Sequence, residues 1–350
     1  MWKSEQVAAL VTTLIVVGIT QFRSLYFFKP IPYTIHRLAS QREGFFDAVK
    51  GVAIVAVIVI HVVSAYKNML VTNVPLFIFA INNMLRFAIP WFLIASGALL
   101  DPGLSGKKQT LVWYRRRLAA IGIPYALCTF VIALVSHSSL TTFTRNLITG
   151  RAAIPYYFVP VLFQCYALYP LLNRFRDKKF FLPAIFSMTL LSFLIQDTWH
   201  IGKFSTVFQY LFFFCYGMSL RSMFLQPKKT PGHLTAWVGI AFIALMSMAA
   251  FPGYYYNVSL FYSVALLQIF FSAKHVLESN LPSFRLLRTI GQKSLWIFLT
   301  HIFVVQATVL LIHTQKLPVL ASLLMAVIIA APISIFIGFF FSRVARYIAL

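Results

Sequence analysis

Lys50 and His61 stand eleven residues apart inside an otherwise apolar run, FFDAVKGVAIVAVIVIHVV, from Phe45 to Val63. On a helix that spacing is roughly 16 Å at ~1.5 Å per residue, so the ammonium and the imidazole fall near opposite faces of a bilayer. Histidine accepts and returns a proton near neutral pH, and beside a substrate hydroxyl it is a general base. It serves equally as an interfacial residue packed on a neighbouring helix. Asp47 lies three residues before Lys50 and shares its helix face. The two are candidates for a catalytic constellation or for a local ion pair that anchors the helix at a positively charged membrane face. Ionisable groups inside membrane helices are costly, which makes each of them a functional candidate.

Other segments carry further candidates. His301, in GQKSLWIFLTHIFVV, lies deep in a late apolar run, as a second catalytic histidine or as a structural hydrogen-bond partner. Asn82, Asn83 and Arg86 fall at i, i+1 and i+4 and make one polar helix face. A guanidinium there suits an anionic or hydroxyl-rich substrate, or snorkels to the outer headgroups. The triplet Arg115, Arg116, Arg117 opens another apolar run. Its forked donors match phosphate oxygens, and the same triplet is a common topology signal. Tyr156, Tyr157, Gln164, Tyr166 and Tyr169 follow an outer loop. Aromatic faces with polar tips suit sugars, and aromatic belts account for the first two tyrosines equally well. Of this group Tyr157 and Gln164 are taken as substrate-binding candidates, Gln164 because an amide so deep in an apolar segment needs a polar partner.

The elements that must position these groups are membrane helices. Of the 350 residues 60% are hydrophobic and 11% charged, which excludes a soluble globular domain. Apolar segments recur at about 7–22, 45–63, 75–100, 118–135, 154–172, 180–195, 204–220, 233–251, 258–273, 294–313 and 317–341. Each is near the ~20 residues that cross a bilayer. The expected fold is therefore an all-α polytopic transmembrane bundle of 10–11 helices, the first segment being a retained membrane helix rather than a cleaved signal peptide.

Charge sets the orientation. Loops at residues 23–42, 107–117, 174–179, 221–229, 274–293 and 343–346 hold 22 of the 30 Lys and Arg residues, and the opposite loops hold six. By the positive-inside rule the rich side, with the C-terminus, is cytoplasmic. The net charge of +23 then reflects loops facing an anionic leaflet rather than nucleic acid. Seven acids, with only Asp47 inside an apolar span, argue against a carboxylate proton relay and against paired-carboxylate glycoside hydrolysis. Cys128, Cys165 and Cys215 sit in separate apolar segments and read as core-packed thiols. No nucleotide-binding glycine loop or HExxH motif is present.

Four stretches, in this order, resemble the acyltransferase 3 family of integral membrane O-acyltransferases. FFDAVKGVAIVAVIVIHV resembles its first core helix, where a basic residue precedes a histidine by eleven positions, as Lys50 and His61 do. IPWFLIASGALL resembles its proline-to-serine-glycine segment, WYRRRLAAIGIPY its basic entry to the next helix, and IGQKSLWIFLTHIF its late helix, with Gly291, Ser294 and His301 in register. YYFVPVLFQCYALYP is similar to a subset linked with cell-wall and biofilm polysaccharide modification. The resemblance implies an acyltransferase domain over residues 41–350, preceded by an extra membrane helix and linker at 1–40. It also implies transfer of an acetyl- or succinyl-type group from cytoplasmic acyl-CoA to a hydroxyl of an extracytoplasmic cell-surface glycan in a bacterial cell membrane. Acyl-CoA is then a co-substrate held by Lys50 and Arg115 to Arg117, with no permanently bound cofactor. His61, Asp47 and His301 become the catalytic candidates, and Arg86, Tyr157 and Gln164 the substrate-binding ones. The competing expectation is a polysaccharide exporter with a similar cavity and no base.

Overall fold

The computed structural model describes residues 44–70, 74–100, 107–199, 207–225, 234–250, 255–315 and 317–349. The segment expected to form an additional helix at residues 7–22, and the whole of 1–40, lie outside the described residues. Those described are helices joined by turns, with no strand among them. Each of the ten apolar stretches from residue 45 onward coincides with helix. Among the described residues five helices are long and apolar enough to cross a membrane, and a sixth span is the bent pair Leu140–Thr149 and Ile154–Phe175 if it counts as one. Four shorter apolar helices complete the set. The protein is an all-α, multi-pass bundle.

Its central element is α1, Gly44–Met69. This helix is apolar almost throughout, and most of its residues are buried. Asp47 in the first turn and Lys67 in the last complement the helix dipole. The Phe45 amide, otherwise an orphan donor of the first turn, donates to the Glu278 carboxylate (3.0 Å). The second membrane segment is broken into α2, Leu76–Met84, and α3, Ala88–Ala98. Pro90 explains the break: its ring excludes the carbonyl four residues earlier, that of Arg86, from the helical ladder. Next come α4, Lys107–Arg117, and α5, Ile123–Val135, joined by a π-helical turn at Leu118–Gly122.

A short amphipathic helix, α6 (Leu140–Thr149), is capped by Ser139 and ends at Gly150 with φ 71°. The chain then turns through a 3-10 segment, Ile154–Tyr157, into α7, Phe158–Phe175. A side chain at Gly150 would collide with the Tyr157 backbone, so glycine is needed there for close approach as well as for φ. The remaining helices are α8 (Phe181–Trp199), α9 (Val207–Leu225), α10 (Leu234–Ala250), α11 (Tyr255–Ser272), α12 (Lys274–Leu277), α13 (Pro282–Gln292), α14 (Ser294–His313) and α15 (Val319–Ala349).

Two crossings are made by reciprocal glycines. Between α1 and α13, Gly51 faces the Leu287 carbonyl and Gly291 faces the Asp47 carbonyl; between α3 and α9, Gly97 faces Phe214 and Gly217 faces Ile94. A Cβ at any of the four would strike backbone oxygen. Small residues at a crossing let membrane helices approach closely, where packing rather than water drives association. Two long-range hydrogen bonds tie other elements together in the core. Trp91 Nε1 donates to the Ser263 carbonyl (3.0 Å), and the Tyr156 hydroxyl donates to that of Leu299 (2.7 Å). Cys128, Cys165 and Cys215 are all buried in the core.

Candidate functional site

A cavity of about 280 Å³ opens beside the second half of α1. Its wall brings together His61, Ser64, Asn82, Arg86, Tyr157 and Tyr210 with apolar side chains of α1, α3 and α9. Three sequence candidates from three separate segments, His61, Arg86 and Tyr157, thus line one space. The break at Pro90 makes this possible: the chain leaves the helical path at Leu85 to Phe87, and Arg86 stands at the opening.

Arg86 is held from within its own helix. Its Nε donates to Asn83 Oδ1 (3.1 Å) and its Nη2 to Asn82 Oδ1 (3.2 Å). Asn82 in turn donates to Ser64 Oγ on α1 (3.0 Å). These two acceptors are neutral amide oxygens, and among the described residues neither Asp nor Glu lines the cavity. Tyr210 donates to the Tyr157 hydroxyl (3.4 Å), the rings 6.1 Å apart. The site therefore offers a basic nitrogen, a cation and two phenols around a space of small-molecule dimensions. A second cavity of about 190 Å³ adjoins it across Ile154, with Arg151 and Gln306 in its wall.

His301 lies behind this wall. It is fully buried on α14, with its ring centroid 5.2 Å from that of His61. Among the described residues it does not line the cavity; this second catalytic candidate lies against His61 instead.

Two other candidates are displaced. Asp47 is fourteen residues before His61 on the same unbroken helix, roughly 21 Å away along the axis, too far to orient or share a proton with it. Its carboxylate instead pairs with Lys50 (2.7 Å) and accepts from Gln292 Nε2 (3.0 Å) on α13. Only 3% exposed, it ties the start of α1 to α13. Gln164 is also away from the cavity. Its Oε1 accepts the Val207 amide (3.1 Å) and so satisfies an orphan donor in the first turn of α9. The polar partner that its depth demanded is a neighbouring helix end.

The cationic candidates lie at the far end of the bundle from the cavity. Arg117 is fifteen residues before Ile132 of the second cavity, roughly 22 Å along the axis. Its guanidinium lies over the rings of Trp113 (5.6 Å) and Tyr166 (5.4 Å), a cation–π arrangement. Arg115 and Arg116 are exposed. Lys50 is committed to Asp47 and retains a partly open side chain, 21% exposed.

Sequence reasoning missed Tyr210, Ser64 and Ser259 as cavity residues. Each is one of several polar residues on a mostly apolar helix; no local pattern distinguishes it from ordinary interhelical polar contacts.

These features define a multi-pass membrane protein with a histidine facing a cavity beside the second half of α1. The chain matches the acyltransferase domain of the acyltransferase 3 family over residues 43–343. It belongs to that family and is a membrane-embedded O-acyltransferase, which sets aside the expectation of a non-enzymatic exporter. Comparison with curated proteins and with solved structures finds no match.

Proposed function

We propose that this O-acyltransferase takes an acetyl- or succinyl-type group from acyl-CoA on the cytoplasmic side and transfers it to a hydroxyl of a cell-surface glycan on the outer side of a bacterial cell membrane. On this reading the 22-to-6 loop asymmetry puts the Lys50 end and the C-terminus in the cytoplasm, and the cavity opens outward. The observation that carries the reading is the meeting of His61, Arg86 and Tyr157 around one cavity.

Each residue then has a role. Arg86 and the tyrosines hold the sugar. His61 removes the proton from the acceptor hydroxyl. In the direct form of the reaction that oxygen attacks the thioester carbonyl and a C–O bond forms. The C–S bond breaks, and the proton on His61 passes to the departing thiolate, leaving an ester and free coenzyme A. Arg115, Arg116 and Arg117, with Lys50, receive the donor's phosphates at the cytoplasmic end, and no cofactor is permanently bound. The acceptor belongs with cell-wall or biofilm polysaccharides, as the tyrosine-rich α7 suggests by resemblance. The test is mass spectrometry of surface polysaccharide from a deletion strain complemented with the wild type or His61→Gln. One ester should vanish on deletion and return only with the wild type; an unchanged ester profile on deletion counts against the reading.

A further inference from the structure

The second imidazole has a role that its burial and bonding define. His301 Nδ1 lies 2.7 Å from the Phe298 carbonyl oxygen. A carbonyl only accepts, so Nδ1 carries the proton and donates. The remaining nitrogen of the neutral ring, Nε2, is then an acceptor. It is buried and has no hydrogen-bond partner among the described residues. Buried polar atoms are nearly always paired. The ring that carries it lies beside a second imidazole, that of His61, at 5.2 Å between centroids and a tilt of 45°. That separation is about what a ~3.0 Å N–H···N bond between two imidazoles spans. Phe298 also packs against the His301 ring, at 5.8 Å, so His301 is wedged while His61 borders an open space.

We propose that His301 is a positioning residue. Its Nε2 accepts the N–H of His61 that faces it, after a small rotation of the His61 ring, and so fixes which nitrogen of His61 is presented bare to the cavity. The proposal rests on reading His61 as the base, and it supplies what that reading lacks: a reason for one tautomer. The hydrogen bond made by one ring nitrogen sets the protonation of the other. Among the described residues no carboxylate lines the cavity, and Asp47 is bound at the far end of α1. Protons balance. His61 gains the acceptor's proton on its cavity nitrogen, keeps its other N–H on His301 Nε2, and returns the first proton to the thiolate sulfur. His301 neither gains nor loses one.

The test uses the full chain in lipid nanodiscs with 15N-labelled histidine, the His61 signals being assigned by their loss in His61→Gln. The wild type should show His61 in a single tautomer. His301→Phe keeps the ring volume and removes the acceptor; it should give a mixture of tautomers and lower kcat about 10- to 100-fold, the usual effect of losing an orienting partner, with little change in KM. His301→Gln places an amide oxygen near the position of Nε2 and should restore both the single tautomer and most of kcat. His301→Leu provides the same comparison should the Phe variant not fold. A His61 ring already divided between tautomers in the wild type, or unchanged in both acceptor-less variants, overturns the proposal. The tautomer is read without turnover, so an active His61→Gln would tell against the base assignment alone.

Discussion

The two ends of α1 carry similar residue types and do opposite things. At the Lys50 end, charges are consumed by the fold. Asp47 pairs with Lys50 and Gln292, and Glu278 caps the Phe45 amide. Arg288 donates to the carbonyls of Leu277 (2.6 Å) and Ser279 (2.8 Å). At the His61 end, the polar groups surround a cavity, and the buried His301 nitrogen behind them has no hydrogen-bond partner among the described residues. A fully satisfied network rigidifies, whereas groups gathered around open space are available to a ligand. The eleven-residue interval between Lys50 and His61 thus joins an anchor to a site.

Breaking the anchor should cost folding, and breaking the site should cost turnover. The largest effect is expected for Gly291→Val, whose side chain would drive into the Asp47 carbonyl. It should abolish the monodisperse peak in fluorescence-detected size-exclusion chromatography. His61→Gln should leave that peak intact and lower acyl transfer by ~10² to 10⁴-fold, the range for loss of a general base. Asp47→Ala leaves the Lys50 ammonium without its carboxylate and should destabilise by about 3 kcal/mol, as for one-sided removal of a largely buried pair. The double change with Lys50→Met should recover part of that loss in a thermal-unfolding cycle, while the rate per folded molecule of the Asp47→Ala single variant, which keeps the Lys50 ammonium, stays near wild type. Arg86→Gln should raise KM for the acceptor about tenfold, one lost charged contact being ~1.4 kcal/mol, with a smaller change in kcat. The smallest effect belongs to Gln164→Leu, which removes one cap at α9 and should cost about 1 kcal/mol of stability with no change in KM.

Hydropathy and loop charge made the helical architecture legible, because a membrane span announces itself in composition. The site was legible where chemistry and pattern coincide: the late histidine of α1, the Asn-Asn-x-x-Arg face and the tyrosine after the outer loop converge on one cavity. It was illegible where a polar residue has two possible duties. Gln164 and Asp47 stand out in apolar segments for the same reason that His61 does, and only the neighbouring helix decides between cap, anchor and site. Asp47 could have been set apart by arithmetic alone, since fourteen residues of helix exceed any hydrogen bond. Tyr210 and Ser259 carried no such signal, because their place in the wall depends on how α9 and α11 pack.

The central claim is that His61 activates an acceptor on one face of the membrane for a donor supplied from the other. Proteoliposomes with labelled acyl-CoA enclosed on the side of the C-terminus, and glycan acceptor outside, test it directly. Wild-type protein should form labelled ester on the outer acceptor, and folded His61→Gln should form almost none. Equal ester from both proteins, or ester only when donor and acceptor share a compartment, would contradict it.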